Sequence, residues 1–192
     1  MGGGSVLLWK PRSILEVYND IDGYAVNFFM CLRDHHEELY KKVVYTPYSR
    51  ELYGKWITNW RSGHIPQEPI EQAAQWFFIM RASFSGKWCG GFAYTKKDKN
   101  QAMVYKSRCE HLAFVSNRLQ GVVIENLDFE DLITRYDGDG VLIYADPPYK
   151  DKEQYYKGGF GLDDHKRLAN ILNSIKGKAA ISYYPDKLID EL

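Results

Sequence analysis

The sequence lacks any apolar run approaching the roughly 20 residues that span a bilayer, and its opening residues carry neither a basic cluster nor the apolar core of a secretory signal. A folded, cytoplasmic protein without membrane partners is expected. It has only three cysteines, Cys31, Cys89 and Cys109, far apart and without C-x-x-C spacing, which argues against a structural zinc site or a disulfide framework. The five histidines are scattered, so no metal is assigned. There is no surplus of charge either: 25 Lys and Arg balance 25 Asp and Glu, so any affinity for nucleic acid has to come from a local patch. Repeats and low-complexity tracts are missing beyond the opening GGGS. What remains is 192 residues, 45% hydrophobic and 15% aromatic, enough for one compact domain with an insertion or two small domains.

Residues 14–18 (ILEVY) predict a short strand, and NDIDG after it is turn and N-cap chemistry that a helix should follow, with Val26, Phe29, Met30 and Arg33 at helical spacing. The charged run 35–42 is expected to be solvated. From 45 to 120, Tyr and Trp interleave with basic residues, and the segment is expected to be an insertion. Within it, Pro69 followed by Ile70, Ala73, Ala74, Phe77 and Met80 predicts a helix with proline in its first turn, where the missing N–H costs nothing. Residues 86–99 suggest a hairpin or exposed loop, and 111–119 another helical turn or two closed by Gly121. The βα rhythm then resumes: strand 122–126, short helix 128–136, strand 141–145, helix 162–175 with Leu168, Ile171, Leu172 and Ile175 inward, and strand 178–183. The 141–145 strand is apolar on both faces, as in parallel sheets covered by helices on both sides. The class is α/β, with 1–44 and 121–192 as core and 45–120 as insertion.

The stretch VLIYADPPY at 141–149 ends that strand in an acid, two prolines and an aromatic ring. Ligands of open parallel sheets bind at the carboxyl ends of the strands. Pro147 and Pro148 each fix φ and disfavour helix in the residue before, so Asp146 and the neighbouring carbonyls form a stiff acceptor platform. A carboxylate and a fixed carbonyl can take both hydrogens of a planar NH₂ group and aim its lone pair at an electrophile, and Tyr149 offers a ring for a base to stack on. The plainer reading is that Pro-Pro ends a strand and Asp146 caps the turn.

The sequence resembles the Dam-like DNA adenine N6-methyltransferases, whose D-P-P-Y motif binds the target amine. GGGSVLLWKP at 2–11 resembles the second half of the family's glycine-rich S-adenosylmethionine loop, which implies that Gly2, Gly3 and Gly4 meet the cofactor. NDID at 19–22 resembles the acidic turn in which Asp20, followed by Ile21, binds the cofactor's ribose hydroxyls. ENLDFEDLI at 125–133 is similar to the segment that sets Asp128 on the cofactor's adenine amine and Phe129 against its ring. RASFSG at 81–86 looks like the insertion sequence beside DNA, which implicates Arg81 and Ser83, and ISYY at 181–184 resembles the next core strand. Alone, GGGS reads as a linker, and Asp20 and Asp128 read as helix caps.

The resemblance implies a Rossmann-like core with a helical and hairpin target-recognition insertion, S-adenosylmethionine as cofactor, double-stranded DNA as partner and a monomer. Lys96, Lys97 and Lys99 are candidates for phosphate contact, with Arg50, Lys55 and Arg61 among the insertion aromatics. For the tryptophans a small core is the preferred reading. In the implied reaction, adenine is flipped out and stacked on Tyr149 while Asp146 and the Pro147 carbonyl hold its N6 amine. Transfer to cytosine N4 and a catalytically dead DNA- or cofactor-binding remnant are the rival readings. Family members also carry, before the glycine loop, an aromatic and Gly-Gly-Lys motif and a first strand. That strand lies between those ending here at Tyr18 and Ala145, and further strands follow beyond Leu192. The resemblance therefore implies a fragment, marginally stable and weakly active unless those segments are restored.

Overall fold

The computed structural model describes residues 4–86, 88, 90–95, 100–148 and 159–183. Gly2, Gly3, Lys96, Lys97, Lys99 and Tyr149 lie outside the described residues. In chain order the elements are α1 (Ser5–Trp9), β1 (Glu16–Asn19), α2 (Gly23–Asp34), α3 (His36–Tyr45), α4 (Arg50–Arg61), α5 (Pro69–Ala82), a 3₁₀ turn (Phe84–Gly86), α6 (Gln101–Glu110), α7 (Leu112–Leu119), β2 (Val122–Glu125), α8 (Phe129–Tyr136), β3 (Leu142–Ala145), α9 (Leu162–Ser174) and β4 (Lys178–Ile181). They fall into two compact units, one of residues 11–17 and 22–124, the other of 1–10, 18–21 and 125–192.

The first unit is built around α5. Pro69 begins it, Glu68 caps it through Ile70 N and Glu71 N, and Ile70, Ala73, Ala74, Trp76, Phe77, Phe78, Ile79 and Ala82 are all buried. A helix apolar on nearly every side has to be surrounded, and α2, α3, α4 and α6 all pack on it. Phe28 of α2 stacks on Phe77 at 5.3 Å, and Phe78 meets Trp56 and Tyr105 edge-on. Several of the insertion aromatics are therefore core: Tyr53, Trp60 and Trp76 are buried. Helices α2 and α3, expected with the 1–44 core segment, pack with the helices of 45–120. Nor is the 35–42 run merely a solvated tail: it forms most of α3 and buries Leu39. Burial pushes the Cys31 thiol up to about 11, which leaves it a packing group rather than a nucleophile.

The described strands do not join into one sheet of the Rossmann-like kind expected. They make two two-stranded sheets, β1–β2 and β3–β4, the latter parallel with Leu142 opposite Lys178 and Ala145 opposite Ile181. The chain is mixed helix and strand, and β1 and β3 share no neighbouring strand among the described residues. Strand β3 is also not buried on both faces, since Leu142 is 66% and Tyr144 45% exposed. Apolar sequence alone does not cover a sheet; that takes further elements, and a two-stranded pair has little stability of its own.

The β3–β4 pair is held at its base by Asp137, which ends α8 and accepts from Lys176 N at 2.8 Å and Gly177 N at 3.0 Å. A Cβ at Gly177 would sit 2.6 Å from the Val141 carbonyl, so only glycine fits there. The amides of Lys176 and Gly177 hold the Asp137 carboxyl below its ordinary value of 3.8. A depressed folded-state pKa contributes stability above the unfolded value and loses it as pH falls through the folded one. Protection of β4 amides, measured by hydrogen exchange relative to α5, should therefore drop below pH 3.8. An unchanged ratio between neutral pH and that range would show that Asp137 does not hold the register.

Candidate active site

All the residues assigned to cofactor and target amine that the structure describes lie in the second unit. Gly4 has φ +69, a left-handed conformation that costs an L side chain about 1–2 kcal/mol. A Cβ there would meet the Tyr18 ring at 3.4 Å. The Tyr18 hydroxyl in turn donates to Asp20 Oδ2 at 3.1 Å, so the glycine turn, the end of β1 and the acid form one group. Asp20 does not cap α2; Asp22 does, accepting from Tyr24 N at 3.1 Å. Ile21 is exposed beside it.

The loop after β2 is tied to this group by side-chain amides. Asn19 accepts from Leu127 N at 2.9 Å and donates to Leu127 O at 3.0 Å, and Asn126 donates to the Asp20 carbonyl at 2.6 Å. The loops bearing Asp20 and Asp128 are thereby fixed together. Asp128 is the N-cap of α8, accepting from Glu130 N through Oδ1 at 3.0 Å, and the same oxygen takes Arg167 Nη2 at 3.0 Å. Among the described residues Oδ2 has no partner. Arg167 also binds Glu130 and Asp164, each at 2.8 Å, and lies 4.8 Å from the centre of the Phe129 ring. Bonds from Glu130 and Asp164 raise its pKa above the ordinary arginine value, so it is a permanent cation.

At the end of β3, Asp146 is exposed while Pro147 and Pro148 are half-buried. The Ala145 carbonyl accepts from Ser182 N at 2.9 Å, which anchors the strand end to β4. Tyr183 reaches the Pro148 carbonyl at a long 3.4 Å and meets His165 Nδ1 at 2.9 Å. His165 is 4% exposed, so a buried ring backs the di-proline turn. Sequence reasoning missed Arg167, His165 and Tyr183 as members of this group. A faint signal existed in the D-x-x-R spacing of Asp164 and Arg167 on one helix face.

In the first unit, Ser83, expected beside DNA, is buried, donating to the Ile79 carbonyl and meeting the Tyr53 hydroxyl, both at 2.7 Å. Its side chain braces the unit internally. Arg81 is exposed, with its guanidinium over Phe77. Arg50 lies over Phe92 and Tyr94 at 5.0 and 4.7 Å, a cation stacked on two aromatic rings.

A family model described as D12 class N6 adenine-specific DNA methyltransferase matches residues 1–192. The chain belongs to that family. Membership in the D12 class makes this a DNA adenine N6-methyltransferase sequence, with DNA as the substrate. A comparison with curated proteins gives no match. Among the described residues no helix is long and apolar enough to cross a membrane.

Proposed function

We propose that the second unit carries the methyl-transfer site, with Gly4, Asp20, Ile21, Asp128 and Phe129 holding S-adenosylmethionine and Asp146, Pro147, Pro148 and Tyr149 holding the target adenine, in a Rossmann-like arrangement. The observation that carries this reading is the linkage of Tyr18, Asn19, Asp20, Asn126 and Leu127 by hydrogen bonds at the ends of two strands, with Gly4 beside the Tyr18 ring. The residues suit the cofactor chemically. Gly4 leaves room where a side chain would press on Tyr18, Asp20 is spared from capping α2, and Asp128 has an oxygen to accept an amine hydrogen.

The cofactor supplies an electrophilic methyl group. The protein's part is positioning, since a neutral exocyclic amine is too weak an acid to be deprotonated first. The Asp146 carboxylate and the Pro147 carbonyl take the two N6 hydrogens, which draws the nitrogen out of conjugation and exposes its lone pair. Tyr149 stacks the flipped base. DNA contact falls to Arg81, Lys96, Lys97 and Lys99, and the exposed Arg50–Tyr94 surface adds a stacking platform for bases.

Asp20→Ala is expected to weaken S-adenosylmethionine binding by about 1.5–3 kcal/mol, the range for a charge-assisted hydrogen bond. Titration calorimetry measures this, and unchanged affinity would return Asp20 to a loop-holding role.

A further inference from the structure

We propose that Arg167 is a positioning residue that sets the selectivity of the site for a 6-amino purine on the cofactor; this rests on Asp128 and Phe129 being the base-binding pair. Both hydrogens of Arg167 Nη2 are used, one on Asp128 Oδ1 at 3.0 Å and one on Glu130 Oε2 at 2.8 Å, while Nη1 is held by Asp164 at 2.8 Å. A planar fork fixed at three points cannot rotate, so it fixes what it binds. Asp128 Oδ1 is thus claimed twice, by its own helix N-terminus and by the guanidinium, and the carboxylate is left with one orientation. Oδ2 is then the oxygen that meets an incoming group, as a pure acceptor. It accepts from an amine and repels a carbonyl oxygen. The guanidinium also lies over Phe129 at 4.8 Å, and the tilted Phe160 ring stands 5.8 Å from it, so the aromatic ring is held in place beside the carboxylate.

Without Arg167, Asp128, Glu130 and Asp164 would lose the cation they share, and among the described residues Asp128 would keep only its cap bond. The carboxylate would then rotate between solvent and site, and preference for the amine would fall. Turnover of bound substrate does not touch this contact, so kcat should change little while the KM for the cofactor rises.

The test uses binding of two probes to the full chain by calorimetry: S-adenosylhomocysteine, and S-inosylhomocysteine, in which an oxygen replaces the 6-amine. The wild type should prefer the amine form by about tenfold or more, the equivalent of one charge-assisted hydrogen bond. Arg167→Gln should cut that preference to about threefold or less. Arg167→Lys keeps a charge but not the fork, and should lie between them. Asp128→Asn, a control on the underlying assignment, should lose the preference as well. If either folded Arg167 variant keeps the full preference while Asp128→Asn loses it, the proposal is overturned. If Asp128→Asn also keeps it, the base-binding assignment itself fails.

Discussion

Asp146→Ala is expected to reduce methyl transfer by about 100- to 1000-fold while leaving cofactor affinity within about twofold, because one acceptor aimed at charge that develops during reaction is worth that much in rate. The reasoning begins in the backbone. Two successive prolines limit the turn to extended φ, the Ala145 carbonyl is bonded to Ser182 N, and the turn is backed by Tyr183 and the buried His165. Asp146 itself is exposed, so its removal leaves no cavity. Thermal unfolding should therefore match the wild type. Single-turnover transfer to duplex DNA, measured beside cofactor binding, separates the outcomes. Near-normal turnover would take the amine acceptor away from this residue.

The second large effect is one of stability. Arg118→Met should destabilise the first unit by about 3–5 kcal/mol, the cost of removing one member of a buried ion pair. Arg118 on α7 binds Glu16 of β1 through both terminal nitrogens, at 2.7 and 2.8 Å, with side chains only 8% and 3% exposed. Such a pair contributes little net stability over a hydrophobic replacement, but half of it is costly. The double variant Glu16→Leu/Arg118→Met should accordingly recover most of the loss. Urea unfolding followed by the fluorescence of the buried Trp60 and Trp76 reads this unit directly. A single variant within about 1 kcal/mol of wild type would mean that the unit relaxes to let water reach Glu16.

Where local chemistry dictates structure, the sequence was legible. Pro69 with its apolar periodicity marked α5, Asp128 marked the start of α8, and the turn after β1 marked α2. Helices α4 and α6 were not assigned, because Lys and Arg among Tyr and Trp masked the pattern. Tyr53, Ile57 and Trp60 are nonetheless spaced for one buried helix face, and Ser49 and Asn100 are N-caps. The exposure of β3 was unreadable in principle, since an apolar run does not say which elements cover it. At the site, the motif residues could be assigned from short stretches by resemblance. Arg167 could not, because its bonds to Asp128 and Glu130 span 39 and 37 positions and exist only once α9 has packed on α8. Ser83, placed beside DNA by resemblance, is buried, and its bonds to the Ile79 carbonyl and the Tyr53 hydroxyl could not be read from the short stretch that carries it.

The most direct test of the central claim is mass spectrometry of nucleosides from duplex DNA incubated with stoichiometric protein and S-adenosylmethionine carrying an isotope-labelled methyl group. The account predicts label in N6-methyldeoxyadenosine, forming about 100- to 1000-fold more slowly when Asp146 is replaced by alanine. Label in N4-methyldeoxycytidine, or no label in adenine, would contradict it.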